Sequence, residues 1–183
     1  MNGLHAIIRV CDAINERVGR IVAWFTLAMV LVTLAVVIMR YGFDFGRIWI
    51  QEIVMYLHAA VFMLGAAYTL QHRGHVRVDI FYQNFSPRRR ALVDLVGTLL
   101  LLMPVALFIL VWSFDFVVNS WQRMEESPET GGLPLVFVLK TFIPLMAVLL
   151  IVQGMAEAAR CGLVLAGRDP GPRPYDDSDD PEV

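Results

Sequence analysis

Charge is scarce in this chain. Only 17% of its 183 residues are Asp, Glu, Lys or Arg, where about 25% is usual for a soluble domain. Hydrophobic residues make up 57%, and a soluble fold of this size would leave too much of them facing water. The excess must face lipid. Cysteine is equally sparse, with Cys11 and Cys161 near opposite ends and no CxxC or CxxxH spacing. That excludes a disulfide framework and a recognisable cysteine metal site. A nucleophile–base pair, a phosphate-cradling glycine loop and a metal-spaced cluster are also missing. No catalytic, cofactor or metal residue is therefore assigned, and an enzyme is not expected. The formal net charge of −2 gives no reason to expect a nucleic-acid partner.

Long uncharged runs are what the sequence does contain. About 20 apolar residues in a helix cross the roughly 30 Å hydrocarbon layer. Ile21–Met39 is bounded by Arg20 and Arg40, and Ile53–Gln71 by Glu52 and His72-Arg73. Leu95–Phe114 lies between Asp94 and Asp115. Thr141–Ala156 is shorter and reaches spanning length if Leu133–Leu139 joins it and Lys140 snorkels to a headgroup. The run after Arg20 is too long for a signal-peptide core and lacks an A-x-A end, so it reads as a retained helix. The expectation is an all-α membrane protein of four transmembrane helices, with spans at about 21–39, 53–71, 91–114 and 135–157. An amphipathic arm over 4–20 completes a scaffold domain of residues 1–165. Residues 166–183, rich in Pro and Asp, read as a disordered acidic tail.

Arginine placement sets the orientation. Arg9, Arg17 and Arg20 precede the first span; Arg73, Arg77 and Arg88–Arg90 follow the second; Arg160, Arg168 and Arg173 follow the fourth. Those eleven face four on the other side, Arg40, Arg47, Arg123 and Lys140. The positive-inside rule then puts both termini in the cytoplasm. In the arm, Leu4, Ile7, Cys11, Ile14 and Val18 repeat at three and four opposite Arg9, Asp12, Glu16 and Arg20. Such a helix lies along a membrane surface or a neighbouring protein. Tyr41, Phe43, Phe45 and Trp49 form an aromatic belt in the first outer loop. Ser86 supplies an N-cap and Pro87 the first helical position of span three. Pro104 and Pro144 are expected to bend spans three and four.

Polar groups inside spans are functional suspects. His58 is the only titratable side chain well inside one. A haem or proton-relay role would want a second histidine at that depth, and His5, His72 and His75 all fall on the cytoplasmic side. An interhelical hydrogen bond is the expected role. Glu52 reads either as a helix-start acid favoured by the dipole or as an interface carboxylate pairing with Arg47 or a partner's arginine. Ala59 and Ala66, and Ala60 and Ala67, recur seven apart around Gly65, a spacing that suits close helix packing in lipid. His72–Phe81 reads as a positive-inside loop in which Asp79 pairs with arginines. Glu125, Glu126 and Glu129 read as a solvated acidic face. No internal repeat is visible, and a carrier usually needs repeats and broken helices meeting at polar sites. The chain thus reads as an accessory subunit that packs against something larger.

Trp49-Ile-Gln-Glu52, Tyr56, Gly65-Ala-Ala67, His75-Val-Arg77-Val-Asp79-Ile-Phe and Pro87 resemble the small membrane subunit (DctQ-like) of tripartite ATP-independent periplasmic (TRAP) transporters. Trp121, Glu125-Glu-Ser, Gly132-Leu-Pro134, Lys140, Pro144 and Gln153-Gly154 extend the resemblance over roughly residues 5–165. It implies a bacterial inner-membrane complex in which a periplasmic binding protein delivers an organic acid. A large subunit would carry the sodium and substrate sites and move as an elevator, so no cofactor is expected here. The small subunit would enlarge the fixed scaffold, its N-terminal helix serving as a brace. The hairpin of spans one and two, with span three, would stack on the large subunit, and the 115–134 loop would help receive the binding protein. Within the family the pattern most resembles the branch labelled for mannitol/chloroaromatic or 2-oxo-acid uptake. One departure is that Gln51-Glu52 holds one acid where the family often has two. The competing readings are a self-sufficient small carrier or channel, and a haem-bearing redox subunit using His58.

Overall fold

The computed structural model describes residues 2–75 and 85–171 of the chain. The expected motif residues Arg77 and Asp79, and most of the acidic tail, lie outside them. Among the described residues the protein is all-helical, with four helices long and apolar enough to cross a membrane. They are α1 (Asn2–Gly42), α2 (Ile48–Gln71), α3 (Pro87–Gln122) and α4 (Val136–Leu165). The first span and the arm expected before it form one uninterrupted helix of 41 residues, about 62 Å at 1.5 Å per residue. Nothing between Cys11 and Ile21 breaks it: Gly19 is tolerated because a neighbour packs on it. An added Cβ there would overlap the Tyr68 ring of α2.

The arm's facing departs from the expected pattern. Ile8, Cys11, Asn15 and Val22 are buried, with Val18 packed beside them, while Leu4, Ile7, Val10 and Ile14 point outward. Asp12 and Glu16, expected on the solvated face, turn into the protein instead. The reason is electrostatic: a buried arginine on α4 demands an acid, and that demand overrides the hydrophobic stripe.

α4 is the hub. It packs against α1, α2 and α3, while α1 and α2 also pack on each other. Val22, Ala60, Leu64, Ala67 and Leu149 fill the centre of the α1–α2–α4 triangle. α3 leans on α4 and contains a π-helical turn, Thr98–Leu102, in which Met103 N–H reaches back to Thr98 O. This widened turn comes just before Pro104 and faces Gly154, where an added Cβ would stand 3.1 Å from Leu102 and Met103. In α3 a π-turn thus accompanies the proline as a source of irregularity. Pro87 opens α3 at its first turn, but Ser86 makes no side-chain cap; its carbonyl accepts Arg90 N–H at 3.0 Å.

Three helices end alike. A residue with positive φ, namely Arg73 (φ 53), Met124 (φ 45) and Gly167 (φ 70), follows the last turn. The next N–H bonds back five residues: Gly74 to Thr69, Glu125 to Ser120, Arg168 to Leu163. This satisfies carbonyls that a helix end leaves open. Arg88 adds a 3.2 Å bond to Leu165 O, placing a cation at the negative end of α4.

Of the small residues in α2, Ala60 and Ala67 carry the packing. Gly65 lies beside the seam, and an added Cβ there meets nothing. Ala67→Leu should therefore destabilise the chain by about 1–3 kcal/mol through overpacking. Gly65→Ala should be neutral or slightly stabilising, since alanine is the better helix former. Thermal unfolding of the purified chain in detergent checks both.

Candidate functional site: polar clusters at both ends of the bundle

Where α1 begins and α4 ends, four polar side chains are almost wholly excluded from solvent. Arg160 is 1% exposed, and Asn15, Gln71 and Gln153 are equally buried. Asp12 is their focus. Arg160 Nη1 donates to Asp12 Oδ1 at 3.3 Å and Nη2 donates to Oδ2, the two-pronged geometry that favours guanidinium on carboxylate. Gln153 Nε2 donates to the same Oδ1 at 3.2 Å, and its Oε1 accepts from Asn15 Nδ2 at 2.8 Å. Gln71 Nε2 donates to the Asp12 backbone carbonyl at 3.3 Å. One residue, Asp12, thereby joins α1 to α4 through its carboxylate and to α2 through its backbone carbonyl. Below it, Glu16 holds Arg20 at 2.8 Å and faces His72 Nε2 at 3.4 Å, while the His72 ring lies 4.0 Å from that of Tyr68.

The opposite end carries two ties. Glu52, in the second turn of α2, accepts the Ser127 hydroxyl and, at 2.5 Å, the Leu133 N–H. It thus pins the loop between α3 and α4. Gly132 is required there, because a Cβ would run into Ser127 and Glu52. Arg47, the partner expected for Glu52, instead lies 5.0 Å over the Phe45 ring. Glu125 takes Lys140 Nζ at 2.5 Å and the Ser120 hydroxyl at 2.6 Å. Lys140 also sits 4.0 Å over Phe116, and Trp121 donates to Thr141 at 2.9 Å while packing edge-on against Phe137. Glu125 is therefore a paired group and not part of a solvated acidic face, whereas Glu126 and Glu129 are exposed. Lys140 and Arg160 are separated along α4 by roughly 30 Å of helix, about one hydrocarbon thickness.

A family model described as "Tripartite ATP-independent periplasmic transporters, DctQ component" matches residues 29–162, which includes Glu52, Glu125, Lys140, Gln153 and Arg160. The chain belongs to the DctQ family. A curated relative, the C4-dicarboxylate TRAP transporter small permease protein DctQ of Vibrio cholerae serotype O1, is 30% identical over 121 residues. That alignment takes in 64% of this chain and 51% of the relative, so the chain spans about half the relative's length.

In this DctQ chain the motif residues fall into distinct places. Glu52, Trp121, Glu125 and Lys140 come together at the end away from the termini, with Pro134 exposed just before α4 and Trp49 half-exposed near the start of α2. Tyr56 shares a cavity of about 490 Å³ with Glu52, Ser127 and Glu129, and its hydroxyl is buried without a partner. His75 is exposed at the other end, and Pro87 starts α3 there. His58 departs from expectation: it is exposed, stacks on Phe62 at 6.5 Å, and makes no interhelical hydrogen bond among the described residues. The Asp12 cluster escaped notice because its members read individually as arm, loop-side charge or motif. The clue was Gln153, an amide set among otherwise apolar residues.

Removing one member of the Asp12–Arg160 pair leaves a buried charge uncompensated. Arg160→Met or Asp12→Leu alone should cost about 3–5 kcal/mol, and the double variant should recover much of it. A double-mutant cycle by unfolding in detergent measures the coupling. At the other end, the bond from Lys140, followed by that from Ser120, holds the Glu125 carboxyl below its ordinary value of 4.5. A carboxyl with a lowered folded-state pKa stabilises fully above the unfolded value and loses that contribution as pH falls through the folded one. The acid-side decline in thermal midpoint should therefore be shallower in Lys140→Met than in the native chain.

Proposed function

We propose that this chain is the small permease subunit of a TRAP transporter, a fixed scaffold for a larger membrane subunit that moves an organic acid. The supporting observation is the use made of its buried polar groups. They tie helices together at the two ends, and the space between them within the α1–α2–α4 triangle is filled by Val22, Ala60, Leu64, Ala67 and Leu149. Polar side chains at the midplane, which a carrier uses to hold ions and solute, have no place in that core. Solute and sodium sites then belong to the large subunit, and delivery of the solute to a periplasmic binding protein. The arginine asymmetry favours a bacterial inner-membrane protein with both termini cytoplasmic, which puts the Glu52 and Glu125 ties on the periplasmic side.

The bracing surface in this reading is the outward stripe of Leu4, Ile7, Val10 and Ile14, continuous with the apolar length of α1. Polar substitution there spares the Asp12 cluster, whereas deleting residues 1–20 would strand Arg160. Co-expressed with the large subunit and the binding protein, the chain should support organic-acid uptake; alone in liposomes it should give none. Replacing Ile7, Val10 and Ile14 together by glutamine should lower recovery of the large subunit with the chain while leaving the chain folded. Sodium-driven flux through the chain alone would instead establish the self-sufficient carrier.

A further inference from the structure

Beside the Asp12 cluster lies a second feature that the scaffold role leaves unused. A cavity of about 240 Å³ opens between the end of α2, the first two turns of α3 and the last turns of α4. That is several times the roughly 30 Å³ share of one water in the liquid. Arg73, Arg90 and Arg160 all line it, against the single acid Asp94. Arg160 is 1% exposed and spends both terminal nitrogens on Asp12, yet its Nε–H is buried without a partner. The Nε–H of Arg73 is likewise buried and unpartnered. Arg90 gives its Nε–H to Phe85 O at 3.0 Å, and both Arg90 and Asp94 have further interactions within the chain. α3 begins at Pro87 on the cavity wall, so the positive end of a 36-residue helix adds to the field.

Leaving a guanidinium N–H buried and unbonded is costly, and two such donors beside one cavity find no acceptor among the described residues. Guanidinium groups pair best with planar or tetrahedral oxyanions, carboxylate and phosphate above all. The depth narrows the choice. The cavity lies about one hydrocarbon thickness along α4 from Lys140, the level of lipid headgroups. Basic pockets between helices at that level suit phospholipid headgroups. We infer that this cavity binds the phosphate of an anionic phospholipid headgroup, with Arg73 and Arg90 as its replaceable contacts and Arg160 as its floor. A bound headgroup would neutralise the arginines and lock α3 to the α1–α2–α4 triangle.

Native mass spectrometry of the full chain in detergent tests this, using phosphatidylglycerol, phosphatidylcholine and inorganic phosphate as separate probes. Arg73→Gln and Arg90→Gln should each lower phosphatidylglycerol occupancy about fivefold, the worth of one arginine near an anionic lipid. Arg89→Gln, an exposed neighbour with the same charge change, should stay within about twofold of the native chain. Phosphatidylcholine should bind weakly and equally in all four proteins. Thermal midpoints taken in parallel show that the variants are folded, and Arg73→Gln, in the loop, serves if Arg90→Gln is not. An equal loss in Arg89→Gln, or equal binding of the two lipids, overturns the site. Binding of inorganic phosphate without binding of phosphatidylglycerol overturns the lipid as its source.

Discussion

Taking a guanidinium out of water costs several kcal/mol, and its attraction to a carboxylate repays this only when the remaining donors and acceptors are also met. Arg160 is taken out almost completely, and the surroundings of Asp12 meet most of that condition, leaving the Arg160 Nε–H open. Two arginine nitrogens and the Gln153 amide converge on the carboxylate, Asn15 completes Gln153, and Gln71 holds the backbone carbonyl beneath. Each partner comes from a helix that would otherwise have little reason to prefer one neighbour over another. In lipid, apolar area gives little net attraction between helices, so the polar end of the bundle chooses the partners and the small residues Ala60 and Ala67 let them approach.

The same division of labour appears at the far end with different chemistry. Glu52 and Glu125 bind two hydroxyls, an N–H and an ammonium, groups already near the interface, and so need no deep burial. Between the two ends the contacts are dispersion and shape. This explains why α4, which reaches both ends and touches every other helix, organises the fold, while α3 is attached to α4 and joined to the triangle mainly through it.

Length and charge placement made the four helices legible, because crossing a bilayer imposes an apolar run that few other structures need. The motif residues Glu52, Glu125, Lys140 and Trp121 also stood out, and the structure gathers them at one end. Facing was harder to read. In the arm the expected apolar stripe divides: Cys11 and Val18 pack inward while Leu4, Ile7 and Ile14 face outward, and Asp12 and Glu16 from the polar side turn into the protein. A periodicity argument assumes that water waits on the polar face, and here the polar face meets a buried cation while lipid or protein waits on the other. His58 was expected to make an interhelical hydrogen bond; it makes none among the described residues and lies on the outside of the bundle.

The tie between Asp12 and Arg160 joins residues 148 positions apart. α1 is made first, and the counterion of its acid comes only with the last turns of α4. Until those turns have been made the Asp12 carboxylate lacks its buried partner, and a chain halted before α4 never acquires it.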